Sequence, residues 1–124
     1  MTRINCIPVQ DLSNQHLIAE YRELPRVFNY ARADAKIPAQ YTLGKGHMTF
    51  FFDKLIYLHH RQVQLIYECL ERGFDIQFTK PVSLDRFPAI LLNDWQPTNR
   101  DLALNRTRII MRKTQSTLKQ LKKR

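Results

Sequence analysis

The chain has 124 residues, 44% of them hydrophobic, and only three Gly and six Pro. That length and composition predict one folded domain over residues 1–124 with a core of its own, and exclude a disordered or collagen-like chain. No run of about 18 apolar residues could span a bilayer, and no apolar segment follows a charged start, so a non-membrane, cytoplasmic protein is expected.

The net charge of +9 is unevenly spread: nine of the 20 basic residues and one of the 11 acidic residues fall between Arg100 and Arg124. Two readings fit this concentration, a polyanion partner such as nucleic acid and a merely solvated helix face. Cys6 and Cys69 are far apart and form neither a CxxC pair nor a disulfide framework. Both are expected to be reduced, buried thiols.

In chain order, the first predicted helix runs from about Asp11 to about Ala33. Leu17, Tyr21, Leu24, Phe28 and Ala31 recur at helical steps and make an apolar stripe, while Gln15, Ala19, Arg22, Glu23 and Arg26 fall on the other side. Pro25 lacks an amide donor and crowds the carbonyl of Tyr21, which predicts a kink. The second helix is predicted over His47–Arg72, with Phe51, Leu55, Leu58, Leu65, Ile66 and Cys69 on one face and Gly73–Phe74 as its C-terminal cap. Before it, "LGKGH" reads either as a turn that glycine permits or as a weak anion site; its spacing excludes a Walker loop.

Asp75–Trp95 holds Pro81 and Pro88 and reads as an irregular connection on the core. A third helix begins near Thr98 or Asn99, either of which could cap it. Leu102, Ile109, Ile110, Leu118 and Leu121 form its apolar side; Arg100, Arg106, Arg108, Arg112, Lys113, Lys119, Lys122 and Lys123 form its polar side. With little sign of a sheet, the fold class is all-α: a compact single domain of about three helices with irregular connections.

No metal site is expected. His16, His47, His59 and His60 accompany neither HExxH nor paired cysteines, and adjacent His59 and His60 diverge by about 100° on a helix. They are read as surface or partly buried. Arg22, Glu23 and Arg26 can be a structural ion-pair cluster. They share their helix side with Gln15 and His16, and such a set could also grip a phosphate backbone and move a proton. The start, "MTRIN", adds a further group. Thr2 is small, so removal of Met1 is expected, which frees a threonine α-amine. With an ordinary pKa of about 7.7–8.0, roughly a tenth of such amines are neutral at pH 7, against about one in two thousand lysines. A neutral amine can form an imine with a sugar carbon, and Arg3 beside it would disfavour its protonated form.

"MTRIN", "QHLIAEYRELPRVF", "GKGHMTFFFDKL" and "RQVQLIYECLERGF", in this order, resemble the pyrimidine-dimer DNA glycosylase/AP lyase family of the phage endonuclease V type. The resemblance covers roughly residues 1–76 with one gap. It implies a mostly helical domain whose N-terminal segment packs against the helices. It also implies an enzyme that excises a damaged pyrimidine from double-stranded DNA and then cuts the strand, with no cofactor and no metal. Thr2 matches the residue whose α-amine attacks the deoxyribose, and Glu23 matches the essential carboxylate. Arg3, Arg22 and Arg26 match the surface that grips phosphates and kinks DNA; Gln15 and His16 match neighbours of the same site. A monomer is the expected state. Two departures stand out: the segment between Arg32 and Leu43 is shorter than in the phage enzymes, and the chain ends in "LKQLKKR" where they carry an aromatic tail. A basic binding module without chemistry, and a lyase acting on abasic sites alone, are the alternatives.

Overall fold

Leu17, Tyr21, Leu24, Val27 and Phe28 all turn into the core along the first helical stretch, as their spacing predicts. The structure, a computed structural model, describes residues 2–122, apart from the side chains at 114, 116–118 and 120–122. Met1, Leu118, Leu121, Lys122 and Lys123 of the sequence reading therefore lie outside what is described. The first stretch is two helices, α1 (Asn14–Glu23) and α2 (Pro25–Tyr30). Ser13 caps α1 by accepting the His16 amide at 3.2 Å. Pro25 takes the first position of α2, where its missing N–H is harmless, and Leu24 stays right-handed between the two helices. The interruption falls at Leu24, directly before Pro25. The stretch ends at Tyr30 rather than Ala33, because Ala31 turns extended and leads Ala35 and Ile37 back onto the core.

The predicted second helix is also divided, into a single turn α3 (His47–Phe50) and a long α4 (Leu55–Glu71). The cause is the triplet Phe50, Phe51 and Phe52, all at most 2% exposed. Consecutive positions on one helix point about 100° apart, so a break lets all three rings face inward. Gly44 and Gly46 have φ of +79° and +87°, so the loop before α3 is a turn that glycine permits. At the far end of α4, Gly73 has φ +81° and its amide donates to Leu70, while the Phe74 amide donates to Cys69. This is the predicted cap, in Schellman form.

From Phe74 to Thr98 the chain is irregular apart from one 3-10 turn at Ala89–Leu91. The helix α5 (Asn99–Lys122) opens with a reciprocal cap. The Asp101 amide donates to the Thr98 hydroxyl at 3.2 Å, and the Thr98 amide donates to the Asp101 carboxylate at 2.9 Å. Asp101, Asn105 and Ile109 face inward at four-residue steps. Ile110, expected on the apolar side, is instead 63% exposed, because it lies about 100° around the helix from Ile109. Among the described residues every regular element is helical, so the protein is all-α.

Residues 2–7 pack against these helices without regular secondary structure, and side chains bond the backbone of Ile4, Cys6 and Ile7. The amides of Cys6 and Ile7 donate to Asn105 Oδ1 at 2.7 and 3.1 Å, and the Ile7 carbonyl accepts from Arg61 at 2.6 Å. Arg61 also holds Glu20 through two parallel bonds of 2.7 and 3.0 Å. Both side chains are at most 3% exposed. Asn5 links this pair to α5: it donates to Glu20 at 2.9 Å and accepts from Asn105 at 2.7 Å. Burial alone would lower the Arg61 pKa, but the adjacent Glu20 carboxylate outweighs it and raises it. Both cysteines are free and buried, as expected, and burial pushes the Cys6 thiol up to about 12.

Candidate active site

A cleft of about 830 Å³ lies between α1, the N-terminal segment and α5. Its α1 wall carries Gln15, His16, Ala19 and Glu23, which recur on one side of the helix. Arg3 and Asn5 enter from the N-terminal segment, and Arg108, Arg112, Lys113 and Lys119 face them from α5. Four of the seven site residues predicted from sequence, Arg3, Gln15, His16 and Glu23, therefore share one cavity. Thr2, only 7% exposed, precedes Arg3 in the chain and is not itself part of the lining. Arg22 and Arg26 are exposed and lie outside the lining, although the Arg26 charge reaches Glu23.

Burial raises the Glu23 carboxyl above its ordinary value; Arg26 and Arg3 oppose that shift. Desolvation likewise lowers the Arg3 pKa, with Arg108 and Arg112 adding to the effect as nearby cations. His16 is lowered by burial and by Lys113, which favours a neutral ring. Its Nδ1 lies 2.7 Å from the Ser13 hydroxyl, whose oxygen already accepts the His16 amide. When that hydroxyl donates to Nδ1, the ring proton sits on Nε2 and remains available as a donor. The site thus combines one carboxylate whose pKa is raised by burial, a neutral imidazole and a surround of cations. Such a set can accept or donate a proton beside a bound polyanion.

Sequence reasoning assigned Arg108, Arg112 and Lys113 to the polar side of a helix without placing them opposite Glu23, and no local pattern could have paired the two helices. It also missed Glu20 and Arg61. Those two did leave a signal, because each stands inside an apolar stripe, between Leu17 and Leu24 and between Leu58 and Leu65. His47 is a correction: expected at the surface or partly buried, it is 3% exposed. His16 and His59 are half-buried and His60 is exposed. Among the described residues, no group of three or more His, Cys, Asp or Glu side chains could hold a metal ion, and no helix is long and apolar enough to cross a membrane.

A helical domain with a carboxylate set in a strongly basic cleft has the composition of a protein that acts on nucleic acid. The family model for pyrimidine dimer DNA glycosylases matches residues 1–82, two thirds of the chain, and the protein belongs to that DNA-repair family. The match contains α1 to α4 and every site residue predicted from sequence; α5 lies beyond it.

Proposed function

We propose that this glycosylase excises one base of a pyrimidine dimer and then cuts the strand itself, through an imine formed at the Thr2 α-amine. The neutral amine attacks C1′ of the damaged nucleotide and displaces the base, which takes up a proton; the nitrogen then gives up one proton, O4′ gains one as the C1′–O4′ bond breaks, and a cationic imine is left on the opened sugar. Removal of a 2′ proton then expels the 3′ phosphate by β-elimination, and water releases the amine. Glu23 stabilises the cationic sugar and relays the protons, a role suited to a carboxyl raised above its usual range. Arg3, Arg22 and Arg26 grip the phosphates, together with Arg108, Arg112 and Lys113 from the opposite wall. Gln15 and His16 contact the nucleotide in the cleft. Flipping a nucleotide out of the kinked duplex costs a few kcal/mol and is easier at a damaged step, which favours lesion over intact duplex.

The observation that carries this reading is the placement of Glu23, in a chain of this family, within a basic cleft that Arg3, the chain neighbour of Thr2, also lines. Borohydride reduction on a duplex carrying one thymine dimer, followed by peptide mass spectrometry, is the test. The expected product is a covalent adduct on the Thr2 α-amine. Trapping on an abasic duplex alone would instead leave a lyase for abasic sites. No adduct on either duplex, from protein confirmed to begin at Thr2, would overturn the imine and favour a binding module.

A further inference from the structure

The "GKGH" loop, which the cleft does not use, ends in a buried histidine whose ring bonds the N-terminal segment. His47 Nε2 accepts the Ile4 amide at 2.8 Å, and its Nδ1 lies 2.8 Å from the Thr42 carbonyl. Only a neutral imidazole with its proton on Nδ1 can make both bonds. The Ile4 carbonyl accepts the Tyr41 hydroxyl at 3.1 Å, so both backbone polar groups of Ile4 are held by side chains from this one loop region. The ring itself is tightly seated. Tyr41 and Phe51 meet it edge-on with centroids 5.5 and 5.7 Å away. Gly46, at φ +87°, brings the backbone so near Pro38 that a Cβ would lie 3.0 Å from its ring.

We propose that His47, aided by Tyr41, is a positioning residue that locks Ile4 and thereby sets where the residue-2 amine can reach in the cleft. This deepens the reading above and rests on it. With Ile4 held, the residue-2 nitrogen lies within two residues of a fixed point, a reach of about 7 Å. Without that hold, the next side-chain anchor is Asn5, whose amide group is fixed to Glu20 and Asn105. The span becomes three residues and the reach about 10 Å. The amine then explores a volume roughly three times larger, whereas attack requires the reacting atoms about 3–3.5 Å apart. His47 touches no substrate in this scheme. It acts through Ile4.

The test uses the full chain beginning at Thr2, with His47→Phe, His47→Gln and Tyr41→Phe. His47→Phe keeps a ring but makes neither bond; His47→Gln retains an acceptor for the Ile4 amide; Tyr41→Phe deletes one hydroxyl. Three quantities are read: affinity for a duplex with a reduced, unreactive abasic site, single-turnover borohydride trapping on an abasic duplex, and amide exchange at Ile4 and Cys6. His47→Phe is expected to trap about ten- to a hundredfold more slowly with affinity changed less than about threefold, to lose protection at Ile4 and to keep it at Cys6. His47→Gln should recover part of the rate, and Tyr41→Phe should show a smaller loss. Trapping at the wild-type rate in a variant that has lost Ile4 protection would overturn the proposal, as would parallel loss of trapping and affinity in all three variants. If His47→Phe does not fold, the other two variants decide by the same criteria. Absence of trapping in the wild type would overturn the imine reading, whereas the exchange at Ile4 would still report whether His47 holds the segment.

Discussion

Glu23 sits between two opposing influences, burial that raises its pKa and the cations Arg26 and Arg3 that lower it. Arg3→Gln removes one of those cations and should shift the acidic limb of the pH–rate profile upward, measured as kcat/KM on dimer duplex. Glu23→Gln should keep DNA affinity within a few-fold and reduce strand cutting by at least about a hundredfold; cutting at the normal rate would remove Glu23 from the mechanism. Glu20, one turn earlier and fully buried, has a different job. Arg61→Met would leave its carboxylate without its guanidinium partner in the core, at a cost of about 3–5 kcal/mol, visible as a fall in Tm of roughly 10 °C or more. The two glutamates differ by a single helical turn in the sequence. Their position against the apolar stripe separates them: Glu20 lies beside Tyr21 and Leu24 and must be paired, while Glu23 lies on the side of Gln15 and Ala19.

At the level of elements, the helix faces were legible because apolar residues recur at helical steps, and the caps at Thr98 and Gly73 because their chemistry is local. The interruption at 51–54 was not, since three adjacent phenylalanines continue a helical pattern as readily as they end it. The partner of α5 was also hidden. If Arg108, Arg112 and Lys113 each meet a phosphate, replacing all three with Gln should lower the slope of log affinity against log salt by about 2–3, since each contact contributes about 0.9. A slope unchanged between about 50 and 200 mM salt would place the DNA elsewhere. The loop before α3 makes a second element-scale prediction. Gly44→Ala meets only the strain of a positive φ, roughly 1 kcal/mol, whereas Gly46→Ala adds a contact with Pro38 and should cost more in denaturant unfolding.

Across the whole molecule, stability is tied to a histidine that must remain neutral. Burial, with Arg3 and Arg108 nearby, lowers the His47 pKa to about 4 against the opposing bond to Thr42. An unfolded histidine titrates near 6.5, so between about pH 6.5 and 4 the unfolded chain binds the additional proton. Stability should therefore fall as the pH drops through that window, by about 3 kcal/mol in all, with His16 acting in the same direction. Denaturant unfolding of the wild type and His47→Gln at pH 7 and pH 4.5 measures it; the variant should show the shallower dependence. The helical class, the apolar faces, the caps and a polar helix side bearing Gln15, His16 and Glu23 were legible in the chain alone, because these follow from periodicity and short-range chemistry. That α5 closes the cleft, that Glu20, Arg61, Asn5 and Asn105 form one buried network, and that His47 holds Ile4 became visible in the folded molecule alone. Those contacts join residues from 15 to 100 positions apart in the chain, and such pairings exist only after the core has packed.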